Sequence, residues 1–160
     1  MKTQYVSIIA LAITALCFTS SMNAQTTNDY LEISRDVLKI EKKAAIADVM
    51  DLSEIESQPF WNLYNEYQGE LYIVHNKRID GIKDFAKNYE KMSDEKADEL
   101  WMNFIGYQSD LLKLKKGYYK KFKKILPAVK AARFFQAENK IEALVNAQLA
   151  LDIPMIETKK

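Results

Sequence analysis

The chain has 160 residues, with 23 lysines and arginines against 22 acids, so its formal net charge is only +1. Near-balance excludes a globally basic protein, and any charged surface must come from local clustering. A single histidine and a single cysteine leave little material for triad, thiol or metal chemistry, while 4 glycines and 3 prolines argue against a turn-rich β fold.

The N-terminal stretch does not belong to the fold. Residues 1–24 read as a cleavable signal peptide. Met1-Lys2 is a small positive region, Ile8 to Phe18 is apolar, and Ser20-Ser21-Met22-Asn23-Ala24 ends in a small residue before Gln25. The apolar run is shorter than the roughly 20 residues of a spanning helix. Bulky Leu16 argues against lipid attachment at Cys17. Export to the periplasm is the expectation. Cleavage removes the only cysteine, and it also removes Lys2 without an acid, taking the net charge from +1 to 0. Residues 25–160 then make a single all-helical domain stabilised by packing without disulfides.

Apolar residues recur at helical spacing through the rest of the chain, predicting four helices at about 29–50, 53–90, 93–126 and 127–152. Asp29 and Glu32 resemble a capping box for the first, whose apolar seam reads Ile33, Val37, Ile40, Ala44 and Ala47. Ser53 and Glu56 form a second capping pair. Behind them Phe60, Tyr64, Tyr67, Leu71, Val74, Ile82 and Phe85 share a face, and Pro59 should kink this helix or delay its regular start to Ser57. Gly81 is a second weak point.

Ser93-Asp94-Glu95 opens the third helix with acids at its positive end. Its seam is Leu100, Phe104, Tyr107, Leu111, Leu114, Tyr118, Phe122 and Ile125. Pro127 suits the first position of a fourth helix, which carries Phe134, Ile141, Val145 and Leu149 on one face and stops near Pro154. Short connections make sequential helices antiparallel neighbours, so the fold class is all-α, in an elongated helical-hairpin arrangement.

Two features go beyond a core. Trp61, Tyr72 and Ile79 form a second apolar stripe on the second helix, and Trp101, Ile105, Leu112 and Tyr119 do so on the third. Packing against the first and fourth helices is the plain explanation, and an exposed shelf for a partner or second subunit is the sharper one. Between Leu111 and Ala137, moreover, the chain carries nine basic residues and no acid. Lys113, Lys116, Lys120, Lys123 and Lys124 fall on the solvated face opposite the seam. Lys115 and Lys121 flank the seam, with Glu138 or Glu142 as candidate partners.

Charged Arg78 and Glu138 interrupt apolar faces, as rim salt bridges or as register-setting contacts. His75 sits at the margin of an apolar face and reads as a half-buried, hydrogen-bonded side chain rather than a metal ligand or pH sensor. No catalytic constellation, cofactor site or metal cluster is legible, so the chain is read as a binding protein and not an enzyme.

The residues so aligned resemble the Spy/CpxP family of periplasmic proteins, which carry a repeated Leu-Thr-x-x-Gln motif at helix starts. Leu52-Ser53-Glu54-Ile55-Glu56 occupies the first motif, with Ser for Thr and Glu for Gln. Leu126-Pro127-Ala128-Val129-Lys130 falls at the second. Phe60 to Tyr67 and Ala132 to Lys140 look like a divergent branch found in Bacteroidetes-type bacteria. The resemblance implies a four-helix hairpin fold, an antiparallel homodimer with a concave surface, and ATP-independent chaperone or stress-response activity.

Together these features predict a lysine-rimmed apolar surface that holds unfolded or acidic polypeptides. A periplasmic sensor that binds a signalling membrane protein, as in extracytoplasmic sigma-factor or metal-stress systems, is the alternative. A third reading is an envelope protein that binds anionic glycolipid, and nucleic acid is not expected as a partner outside the cytoplasm. The candidate partner-binding residues are Trp61, Tyr72, Ile79, Trp101, Ile105, Leu112 and Tyr119, with Lys113, Lys116, Lys120, Lys123 and Lys124.

Overall fold

A computed structural model of the chain describes residues 39–158. The expected signal peptide with Cys17, the expected Asp29–Glu32 capping box and the seam positions Ile33 and Val37 lie outside the described residues. The regular structure is α1 over 39–49, α2 at Glu54–Asn88, a 3-10 turn at Tyr89–Lys91, α3 at Asp94–Phe122 and α4 at Ala128–Asp152. There is no strand among the described residues, so the fold is all-α.

α2 and α3 begin where their first turns can be satisfied. The Ser53 N–H and hydroxyl both donate to the Glu56 carboxylate, at 2.8 Å each. The Ser53 carbonyl accepts from the N–H groups of Glu56 and Ser57. This cap fixes the start of α2 at Glu54, and Pro59 is accommodated inside the helix rather than delaying its start to Ser57. Ser93 Oγ accepts from the Lys96 N–H at 3.2 Å, and Asp94 and Glu95 complement the positive end of α3.

α3 ends at Phe122, earlier than its apolar pattern predicts. Lys124 and Ile125 bond back only three residues, to Lys121 and Phe122, and tighten the chain ahead of Pro127. Pro127 is the cap of α4 rather than its first residue: its carbonyl accepts the first bond, from the Ala131 N–H at 3.0 Å. The proline ring costs nothing there, because a cap needs no N–H of its own.

The described chain groups into two compact units, one of residues 52–132 with 155–158 and the other of 39–51 with 133–154. In the first, α2 and α3 pair antiparallel. Lys96 bonds Asp84 near the connecting turn, the Arg78 guanidinium lies 5.6 Å from the centre of the Tyr107 ring, Tyr67 packs on Tyr118, and Phe60 packs on Phe122. Each step back along α2 is thus matched by a step forward along α3. Phe60, Tyr64, Tyr67 and Leu71 are buried, as are Tyr107, Leu111, Tyr118 and Phe122.

All eight of these residues lie in the expected seams, but burial weakens towards the turn. Val74, Ile82, Phe85 and Leu100 are half-buried, and Phe104, expected in the core, is 43% exposed. Two helices alone enclose a side chain on only one side, which leaves the turn-proximal half of the seam open. Arg78 is a cation over an aromatic face there, not only a rim charge.

In the second unit the phase of α1 differs from expectation. Ile40 is 67% exposed and Ala44 and Ala47 are exposed, whereas Ile46 and Met50 are buried and Lys42 and Val49 half-buried. Alanine marks an apolar stripe weakly, and the larger Ile46, Val49 and Met50 set the buried face. Glu138 is no rim charge: it is buried and pairs with Lys42. Arg133 Nε donates to the Val49 carbonyl at the end of α1, which satisfies one of that helix's orphan acceptors.

Candidate functional site

All of the candidate partner-binding residues lie in the unit built on the α2–α3 hairpin. On α3, Trp101 is 60% exposed, Ile105 44% and Leu112 68%, while on α2 Tyr72 is 44% exposed. All four side chains are exposed. Ile79 and Tyr119 are half-buried. Trp61 is half-buried too, edge-on to Phe60 and Tyr64 at 5.0 and 5.2 Å between ring centres. It therefore belongs mainly to the aromatic packing at the open end of the hairpin.

Helix geometry places the two stripes together. At 100° per residue both lie about 100° past the seam of their own helix. In an antiparallel pair that rotation carries both to the same side. The register set by Tyr67–Tyr118 and Arg78–Tyr107 then brings Tyr72 level with Leu112 and Ile79 level with Ile105. Trp61 and Trp101 sit at opposite ends of this surface and are not brought together.

Several exposed apolar residues escaped the sequence reading, among them three near the stripes. Met102 and Ile73 are 58% and 57% exposed, and Phe104 packs its ring 5.6 Å from Trp101. Phe104 carried a core signal because its heptad position is correct. Only the shallow burial near the turn moves it to the surface.

The lysine face is as solvated as its spacing predicts. Lys113, Lys116, Lys120, Lys123 and Lys124 are all exposed, and the Lys123 ammonium lies 5.4 Å from the centre of the Tyr119 ring. Lys123 and Lys124 stand just beyond the last turn of α3. Other members of the basic stretch are engaged. Lys121 Nζ pairs with Glu66 at 2.6 Å, in place of Glu138 or Glu142, and Lys130 pairs with Glu56 at 2.6 Å.

Around Glu66 the chemistry is structural. The Tyr118 hydroxyl donates to Glu66 Oε1 at 2.9 Å, and the Lys121 ammonium lies 4.2 Å from the centre of the Tyr118 ring. Lys121, and then the tyrosine hydroxyl, hold the Glu66 carboxyl below its usual range. Burial, followed by the bond to Glu66, pushes the Tyr118 hydroxyl up. Asp110, the acid that borders the basic stretch on one side, is held low by Lys77. Glu138, which borders it on the other, pairs with Lys42. Asp110 also feels the charge of Lys113, so of the two flanking acids only Glu138 is paired away from the exposed lysines.

His75 is half-buried, and its Nδ1 lies 3.2 Å from the Tyr107 hydroxyl. That bond fits the hydrogen-bonded reading of this residue. Among the described residues no group of three or more His, Cys, Asp or Glu side chains could hold a metal ion, and no helix is long and apolar enough to cross a membrane. The arrangement on α2 and α3 sets exposed apolar side chains beside a solvated row of ammonium groups. Compared with protein-family models, with curated proteins and with solved structures, the chain has no match in any of the three.

Proposed function

We propose that this is an exported, ATP-independent holding protein of the Spy/CpxP type, which binds unfolded or acidic polypeptides on the α2–α3 hairpin. The observation that carries this reading is the adjacency of exposed Trp101, Ile105, Leu112 and Tyr72 to the row Lys113, Lys116, Lys120 and Lys123. Lysines attract an acidic chain at long range and raise the encounter rate. Apolar contact then holds it weakly enough for release. Export is supported by the features of residues 1–24.

The test is suppression of aggregation of a chemically denatured protein at stoichiometric ratios. Protection at low salt that weakens in Lys116→Ala, Lys120→Ala, Lys123→Ala supports the proposal. No protection at low salt sinks it.

A glycolipid-binding reading rests on the lysine face alone. It predicts salt-sensitive binding to lipopolysaccharide that the same triple variant loses and that Leu112→Ala leaves intact. Protection of unfolded protein, by contrast, should fall in both variants.

A further inference from the structure

The exposed stripes have a spacing that their burial does not require. With Tyr64 and Leu71, and Phe104, Leu111 and Tyr118, at heptad position a, every buried residue of the two helices falls at a or d except Phe122, which falls at e. Tyr72 and Ile79 then fall at b on α2, as do Ile105, Leu112 and Tyr119 on α3, while Trp61 and Trp101 fall at e. The apolar b positions recur every seven residues, with Gln68 and His75 on α2 and Gln108 and Lys115 on α3 at the e positions beside them, so the b residues mark a second, narrower apolar seam on the same two helices. The antiparallel pairing turns both second seams to one side, where Tyr72 meets the level of Leu112 and Ile79 that of Ile105.

We propose that this side of the hairpin is a docking trough for one amphipathic helix with acidic flanks, supplied by the bound polypeptide. The proposal rests on the holding-protein reading and specifies the form in which a segment is bound. The two levels are seven residues apart, or about 10.5 Å along the axis. A docked helix repeats its apolar face at that distance, every two turns. An extended chain covers it in about three residues, and residues an odd number apart point to opposite sides. Only a helix presents apolar side chains to both levels.

Charge selects the flanks. From Trp61 to Lys83 on α2 and from Trp101 to Lys123 on α3, positions b, e and f carry no acid. The outer f positions include Lys83, Lys116 and Lys123, with Lys113 and Lys120 just beyond on α3. A second copy offering this same face would set lysine against lysine, so the occupant is a different, acidic helix.

The test uses three peptides of about 21 residues, three heptads long. One has leucine at a and d with glutamate flanks, a second has the same composition scrambled out of register, and a third has lysine flanks. Each is titrated into the full chain, following tryptophan fluorescence and peptide helicity by circular dichroism. The heptad acidic peptide is expected to gain helicity and bind at least about tenfold tighter than either control. Ile105→Ser with Leu112→Ser is expected to abolish that preference while leaving the thermal midpoint unchanged, which separates lost contact from lost fold.

Equal binding of the scrambled acidic peptide overturns the helical trough and leaves the holding reading standing. So does failure of every peptide while denatured protein is still protected. Failure of both assays overturns both proposals. Self-association that the same double serine variant dissolves also overturns the trough, in favour of a second copy as its occupant.

Discussion

Glu138 on α4 and Lys42 on α1 form an ion pair at 2.8 Å, with 2% of the glutamate side chain and 17% of the lysine side chain exposed. Removing one partner of such a pair leaves the other's charge in a poorly solvated place. Glu138→Ala is expected to reduce the unfolding free energy by about 3 kcal/mol in urea titrations. Replacing both partners, as Glu138→Leu with Lys42→Met, should recover most of that loss. A double variant as unstable as the single one would show that the stranded charge is not the cause.

Glu56 sets an acid-side limit. Its carboxyl is lowered from 4.5 to about 2, first by the bond from Lys130 and then by the backbone and side chain of Ser53. A folded-state value below the unfolded one gives stability that is fully present above about 4.5 and declines as pH falls towards about 2. Thermal midpoints of the wild type and Glu56→Gln should therefore differ by a constant amount above pH ~5 and converge as the pH falls below ~4. A difference that grows on acidification would contradict the assigned shift.

Core and stripe residues of the same helix should respond oppositely. Phe122 is fully buried against Phe60, with ring centres 5.5 Å apart. Phe122→Ala is expected to cost about 3–5 kcal/mol. Leu112 is 68% exposed, and Leu112→Ala should change stability by no more than about 0.5 kcal/mol while reducing protection of unfolded protein. Denaturant midpoints read the first effect and aggregation assays the second.

Charge reversal of the lysine face should act on kinetics. Lys116→Glu with Lys120→Glu and Lys123→Glu is expected to slow association with an acidic unfolded chain about tenfold at low salt. The difference should disappear near ~0.5 M salt, where screening extends over only a few ångströms. Stopped-flow fluorescence at the two salt concentrations measures it. A slowing that persists at high salt would mean that the lysines make short-range contacts instead.

Much of this surface was legible in advance because it depends on periodicity. The spacing of Ile105, Leu112 and Tyr119 and of the lysines beside them fixes which side of α3 they occupy, whatever the helix packs against. The phase of α1 was misread because Ala44 and Ala47 imitate a seam, whereas Ile46 and Met50 have more area to bury. Phe104 was misread for a different reason: its angular position is correct, and burial at that position depends on how many neighbours surround the ring.

The sequence alone determined the all-α class, the starts of the helices at Ser53 and Ser93, and the faces on which Tyr67, Tyr118, Leu112 and Lys116 lie. Caps and periodicity act within one or two turns, so they need no knowledge of the rest of the chain. Only the tertiary structure decided that Lys121 meets Glu66, that Glu138 meets Lys42, and that Tyr72 comes level with Leu112. Those outcomes depend on the register between helices, which is set by many buried contacts at once and is not encoded in the spacing of any single helix.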